Sequence, residues 1–155
     1  MRLRLIISYD GTPFSGWQSQ PSGNAVQDIL EKAFLSIVGE RVVVHGAGRT
    51  DAGVHAVGQC AHLDVPEGKM SVRDWCRALN AHLPREIRVL KTYRADANFH
   101  ARWSAKAKIY RYRIWNGEVM SPLDCNRIWH VPGPLNFELL CSSAALFEGK
   151  HNFAA

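Results

Sequence analysis

The stretch RVVVHGAGRTDAGVHAVGQCAHLDV, from Arg41 to Val65, decides the fold. Arg41 to His45 is β-branched and reads as a short strand, Gly46 to Gly53 is a glycine-rich turn, and Val54 to Val65 resumes as a second strand. Two strands therefore follow one another with no helix between them. Upstream, Arg2 to Tyr9 alternates, with Leu3, Leu5, Ile7 and Tyr9 on one face, until Asp10-Gly11-Thr12-Pro13 breaks it. A loop through Gly16-Trp17-Gln18 and Pro21-Ser22-Gly23 leads into a helix whose Val26, Ile29, Leu30, Ala33, Phe34, Ile37 and Val38 draw one apolar stripe. Asn24 is the expected cap, with Gln27 three residues on, and Gly39 the stop. Downstream, Ser71 and Asp74 open a helix using Val72, Trp75, Cys76, Leu79 and Leu83, which Pro84 ends. Ile87 to Tyr93 and Lys108 to Trp115 read as further strands, and Leu135 to Phe147 as a last helix before Gly149.

The order β-α-β-β-α-β closes as an α+β, ferredoxin-like split βαβ sandwich. Residues 1–103 are the expected ferredoxin-like domain and 104–155 the start of a second, incomplete α/β domain. The final His151-Asn152-Phe153-Ala154-Ala155 carries no polar tail and reads as a cut within that domain.

With 155 residues, 46% hydrophobic and 21% charged, the chain falls outside the disordered class and supplies enough apolar side chain for a core. Its uninterrupted apolar runs, such as Leu5-Ile6-Ile7, are too short for a membrane span, and Met1-Arg2-Leu3-Arg4 does not open a signal peptide. A cytoplasmic protein is expected. Cys60, Cys76, Cys125 and Cys141 form no C-x-x-C pair, so they read as free thiols and not as zinc ligands or disulfides.

The positive charge is local. Between Arg85 and Arg113 nine basic residues face only Glu86 and Asp96, a net +7, while the rest of the chain carries −2. The segment interleaves Tyr93, Phe99, Trp103, Tyr110 and Tyr112 with these cations, the mixture that suits phosphate pairing and base stacking in RNA. A solvated basic strand pair with its aromatics in the core would show the same composition.

The glycine-rich turn does not cradle phosphate. A dinucleotide loop needs a third glycine where Asp51 stands and a helix after it, and a P-loop needs Gly-Lys-Ser/Thr. What the turn offers is one acid, Asp51, with Arg49 two residues earlier, between glycines that let a ligand come close. On the loop alone, an ordinary turn aspartate bonded to nearby backbone remains the simpler reading.

Gly48-Arg49-Thr50-Asp51-Ala52-Gly53-Val54-His55 resembles the signature of the TruA family of tRNA pseudouridine synthases. Tyr9-Asp10-Gly11 with Gly16-Trp17-Gln18, then Val26-Gln27, Phe99-His100-Ala101-Arg102 and Tyr110-Arg111-Tyr112 match in the same order. The resemblance implies the N-terminal half of the pseudouridine synthase fold, with Asp51 as catalytic aspartate and Tyr110 stacked on the target uracil. It implies that Arg49 pairs with the aspartate and takes the place of the flipped nucleotide, and that Lys69, Phe99, His100, Ala101, Arg102 and Trp103 contact the tRNA. Gly149-Lys150-His151-Asn152-Phe153 resembles the opening of the family's second domain, with Asn152 where the family usually has Asp. The family further implies a homodimer acting on uridines 38, 39 and 40 of the anticodon stem-loop. Its active site lies between two similar domains, so the chain by itself is not expected to turn over.

The chemistry agrees with such a site. Pseudouridine formation breaks the C1′–N1 bond, turns the uracil and joins C5 to C1′, without redox change or phosphate activation, so no cofactor or metal is required. A carboxylate, as in glycosidic cleavage generally, is the group the reaction needs. The seven histidines are scattered, and the zinc-deaminase pattern is missing. Two rival readings stay open from sequence: an RNA-binding module without catalysis, and a basic structural protein of a ribonucleoprotein, for which Asp51 is incidental.

Overall fold

Alternation along β1 (Arg2–Tyr9) sends Leu3, Leu5, Ile7 and Tyr9 into the core, and this strand organises the sheet. The computed structural model describes residues 1–152, so Phe153 of the Gly149–Phe153 segment, with Ala154 and Ala155, lies outside the described residues. β1 is followed by α1 (Val26–Val38), β2 (His45–Gly46), β3 (Ala56–Asp64), α2 (Val72–His82) and β4 (Ile87–Arg94). The sheet order is β2-β3-β1-β4 and every neighbouring pair is antiparallel, which is the ferredoxin-like arrangement. Leu5 pairs with Ala61 on one side and Thr92 on the other, and Ile7 with Gln59 and Val89.

The buried sheet residues meet Val26, Leu30 and Phe34 of α1 and Trp75 and Leu79 of α2 in one core. Phe34 and Trp75 rings, 5.8 Å apart, join the two helices. Chain contacts divide the molecule into two units, the first Met1–Ile109. The second begins at Tyr110 and holds two short parallel strands, β5 (Ile114–Trp115) and β6 (Trp129–His130), a 3₁₀ turn over Pro122–Asp124, and α3 (Phe137–Ala145). Asn136 caps α3 by accepting from the Leu139 N–H at 2.9 Å.

Three local readings change. Of Arg41 to His45, only His45 joins the sheet, because the Val44 N–H donates to Glu31 Oε1 at 3.0 Å on α1, and the valine side chain is buried. A helix side chain, not a strand, takes that segment's backbone bond. Lys108 to Trp115, read as one strand, pairs only at Ile114–Trp115, and Tyr110 and Tyr112 lie outside that ladder, both exposed. Alternation without a partner strand does not make a ladder. The cap of α1 is Ala25 and not Asn24: Asp28 accepts the Ala25 N–H at 3.0 Å, while Asn24 donates to the Pro13 carbonyl at 2.8 Å. Gly39 ends the helix at φ 87°, and Ser71 caps α2 through the Asp74 N–H, both as expected.

Trp75 is fully buried, and its Nε1 has no hydrogen-bond partner, so apolar packing alone holds it. Trp75→Ala is expected to destabilise the first unit by about 3–5 kcal/mol in urea denaturation. A loss below about 1 kcal/mol would show that α2 does not depend on this ring.

Candidate active site

Thr50 is held from two sides. The Trp17 N–H donates to the Thr50 carbonyl at 2.9 Å, and the Tyr9 hydroxyl lies 2.8 Å from Thr50 Oγ1. Gly16 makes the first contact possible: it sits at φ +88°, and a Cβ there would fall 2.6 Å from the Thr50 oxygen. Beneath this, the buried Trp17 ring lies so close to Gly46 that a Cβ on the glycine would be 2.5 Å from it. The loop is tied onward into α1, because the Gly16 carbonyl accepts from the Val26 N–H at 3.0 Å and the Trp17 carbonyl from the Gln27 N–H at 3.1 Å.

The Gln27 side chain is itself buried and fully engaged. Its Oε1 accepts from Gln18 Nε2 and the Ser19 N–H, both at 3.1 Å, and its Nε2 donates to Glu31 at 2.8 Å. A buried amide so satisfied fixes the loop it touches. On the far side of the turn, the Gly48 carbonyl accepts from Gln59 Nε2 at 2.7 Å, and the Val54 N–H closes on the Asp51 carbonyl at 3.2 Å. His55 Nδ1 accepts from the Gly11 N–H at 3.2 Å and stands 3.2 Å from Asp10 Oδ1. Three segments singled out from sequence, around Asp10, Trp17 and Gln27, thus converge on one turn.

That turn presents Asp51 to a cleft of about 470 Å³, lined also by Arg49, Thr50, Phe14, Gln18 and Gln20. Both Asp51 and Arg49 are exposed, and no ion pair joins them among the described residues. The carboxylate is therefore available to a cleft of mixed polar and apolar lining, on backbone held from beneath. Gln18, part of the Gly16-Trp17-Gln18 match, and Gln20, which no sequence signal marks, add amide groups to this wall.

The other expected residues lie elsewhere. Lys69 donates to the Val38 carbonyl at 2.9 Å, at the end of α1 opposite the Gly16 attachment, about 18 Å along the helix axis at 1.5 Å per residue. Phe99 to Trp103 runs beside β1 and β3. Arg2 binds Asp64 at 2.8 Å and donates to the carbonyls of Ala97 and Phe99, which anchors the segment. The Ala101 N–H donates to His62 Nδ1 at 3.1 Å, so Ala101 is buried while Arg102 and Trp103 are exposed. Trp103 stacks on His100 at 3.8 Å, and His100 meets His62 at 4.5 Å. Tyr110 belongs to the second unit and is 64% exposed. Among the described residues no group of three or more His, Cys, Asp or Glu is arranged to hold a metal ion.

A family model for tRNA pseudouridine synthase matches residues 5–104. The chain belongs to this family. It is 45% identical over 155 residues to tRNA pseudouridine synthase A of Akkermansia muciniphila, covering 99% of this chain and 58% of that protein. It is 49% identical over 155 residues to the enzyme of that name from Rhodopseudomonas palustris, covering 98% of this chain and 61% of the relative. The chain thus spans about three fifths of the relatives it matches. The matched span of this pseudouridine synthase domain contains the entire clasp, from Tyr9 to Val54, and the Phe99–Trp103 segment.

His62 is buried, and burial, with the neighbouring His100 and His45 and then Arg2, lowers its pKa from 6.5 to about 4 despite Asp64. As the pH falls below 6.5 the unfolded chain takes up this proton before the folded one, so the folded state loses stability progressively between about 6.5 and about 4. Urea midpoints are expected to fall across that window. His62→Asn, which keeps an acceptor for the Ala101 N–H, makes the decline shallower; an unchanged slope contradicts the assignment.

Proposed function

We propose that this chain is the aspartate-bearing part of a tRNA pseudouridine synthase, and that Asp51 supplies the carboxylate for conversion of uridine to pseudouridine. The observation that carries this reading is one exposed acid on a turn clamped through Thr50, facing a cleft. Cleavage of the C1′–N1 bond needs a carboxylate held in fixed geometry, since preorganisation and not mere presence lowers the barrier. Arg49, on the same wall, occupies the space of the flipped nucleotide, and Tyr110 supplies a stacking face worth about 1–3 kcal/mol against the uracil. Uridines 38, 39 and 40 of the anticodon stem-loop are the targets the family resemblance gives.

The RNA lies against the Phe99–Trp103 segment and the basic run that continues from it. Trp103, 80% exposed and stacked on His100, supports a base-stacking role, and Arg102 beside it a phosphate contact. Lys108 lies over Gly48, its Nζ 3.2 Å from where a Cβ would stand, and brings a cation to the catalytic turn. Lys69 extends the contact toward the far end of α1. Residues 1–103 form the catalytic domain and 104–155 the start of the second, whose remainder completes the cleft; the enzyme is a cytoplasmic homodimer without cofactor. No helix among the described residues is long and apolar enough to cross a membrane.

Release of tritium from C5-labelled uridine in tRNA, measured for the chain extended by the C-terminal remainder of the Rhodopseudomonas relative, tests the reading. The extended chain is expected to turn over, and Asp51→Asn to bind tRNA as before while turnover is lost. Activity of the variant within about tenfold of the parent, only about 1.4 kcal/mol, removes Asp51 from the chemistry.

A further inference from the structure

We infer that Tyr9 is a positioning residue for Asp51, acting through the Thr50 hydroxyl; this rests on the function proposed above. Tyr9 ends β1 and is 3% exposed, so its hydroxyl comes out of the rigid sheet core and not from a surface loop. It meets Thr50 Oγ1 at 2.8 Å, inside the range of a good O–H···O bond. The Tyr9 ring is steadied by Trp17, 6.1 Å away between centroids, and Trp17 is the residue whose N–H holds the Thr50 carbonyl. The residue directly before Asp51 is therefore fixed at two oxygens, one by main chain and one by a side chain. A threonine held only at its carbonyl can still rotate about the backbone on either side, and the second point removes that freedom. The register shift between Ile7 and Tyr9 where β1 faces β3 lies at this position and marks the place where β1 leaves regular pairing.

The clamp differs from ordinary core packing in what it should control. Losing a hydroxyl at the end of a buried ring removes the bond to Thr50 and almost no apolar area, so stability should move little while the Asp51 geometry moves. Ser8 provides the comparison: it is the neighbouring β1 residue, and its hydroxyl donates at 3.0 Å to the Ala56 carbonyl, away from Thr50.

Tyr9→Phe, Thr50→Val, the double variant, Thr50→Ser and Ser8→Ala are compared in the chain extended by the C-terminal remainder of the Rhodopseudomonas relative. Tyr9→Phe and Thr50→Val are each expected to lower kcat about tenfold or more with KM and melting temperature little changed. The double variant should be no worse than either single one, Thr50→Ser should restore most of the rate, and Ser8→Ala should match the parent. In the chain itself, the Asp51 amide resonance should shift alike in the two single variants and no further in the double one. Additive losses, a rate unchanged in Tyr9→Phe, or an Asp51 amide indifferent to both substitutions overturn the inference. If the extended parent does not turn over, the proposed function fails; the amide shift still decides whether the clamp exists.

Discussion

The close approach of Gly16 to the Thr50 carbonyl is the constraint on which the candidate site depends. A residue with a side chain at Gly16 would collide with that oxygen, and the +88° torsion is one that L-residues with a Cβ seldom adopt. Because the approach is allowed, the Trp17 N–H reaches Thr50, the Trp17 ring fills the space over Gly46, and the main chain enters α1 at Val26. Gln27 then satisfies Gln18 and Ser19 from the first turn of the helix. The turn that carries Asp51 is in this way braced by α1, β1 and β3, though it makes almost no ladder bonds of its own.

The division of labour follows from physical chemistry. Apolar burial around Leu5, Phe34 and Trp75 supplies stability without direction, whereas the bonds at Thr50 supply direction with little net stability. Placing a carboxylate in a cleft needs both. The His62 cluster does similar work farther along β3, where His62 pairs with His45 of β2: a buried neutral imidazole takes the Ala101 N–H and lets Trp103 project into solvent beside Arg102. Its low pKa keeps that arrangement uncharged in neutral solution.

Five of the first six elements, all but β2, are legible from local causes such as alternation in β1, the apolar stripe in α1, the Ser71 cap and the Pro84 stop. The sequence signature also brought forward Asp10, Trp17 and Gln27, which the fold gathers beneath Asp51. What sequence could not show was why. Trp17 packs in the core, but its main-chain N–H carries the positional effect, and that leaves no trace in residue type. Arg41 to His45 departs from the expected strand for a related reason: the partner of the Val44 N–H is a glutamate on α1, thirteen residues away, rather than a strand. Lys108 to Trp115, expected as a strand, forms one only at Ile114–Trp115, because pairing is a property of neighbours and not of the segment itself.

The most direct measurement is amide hydrogen exchange in the chain with Gly16→Ala. If the approach of Gly16 to Thr50 holds the turn, the Trp17 and Val54 amides lose protection, while the Leu5, Leu63 and Val89 amides of the sheet exchange as in the parent. Unchanged protection at Trp17 and Val54, with the alanine in place, would contradict the account.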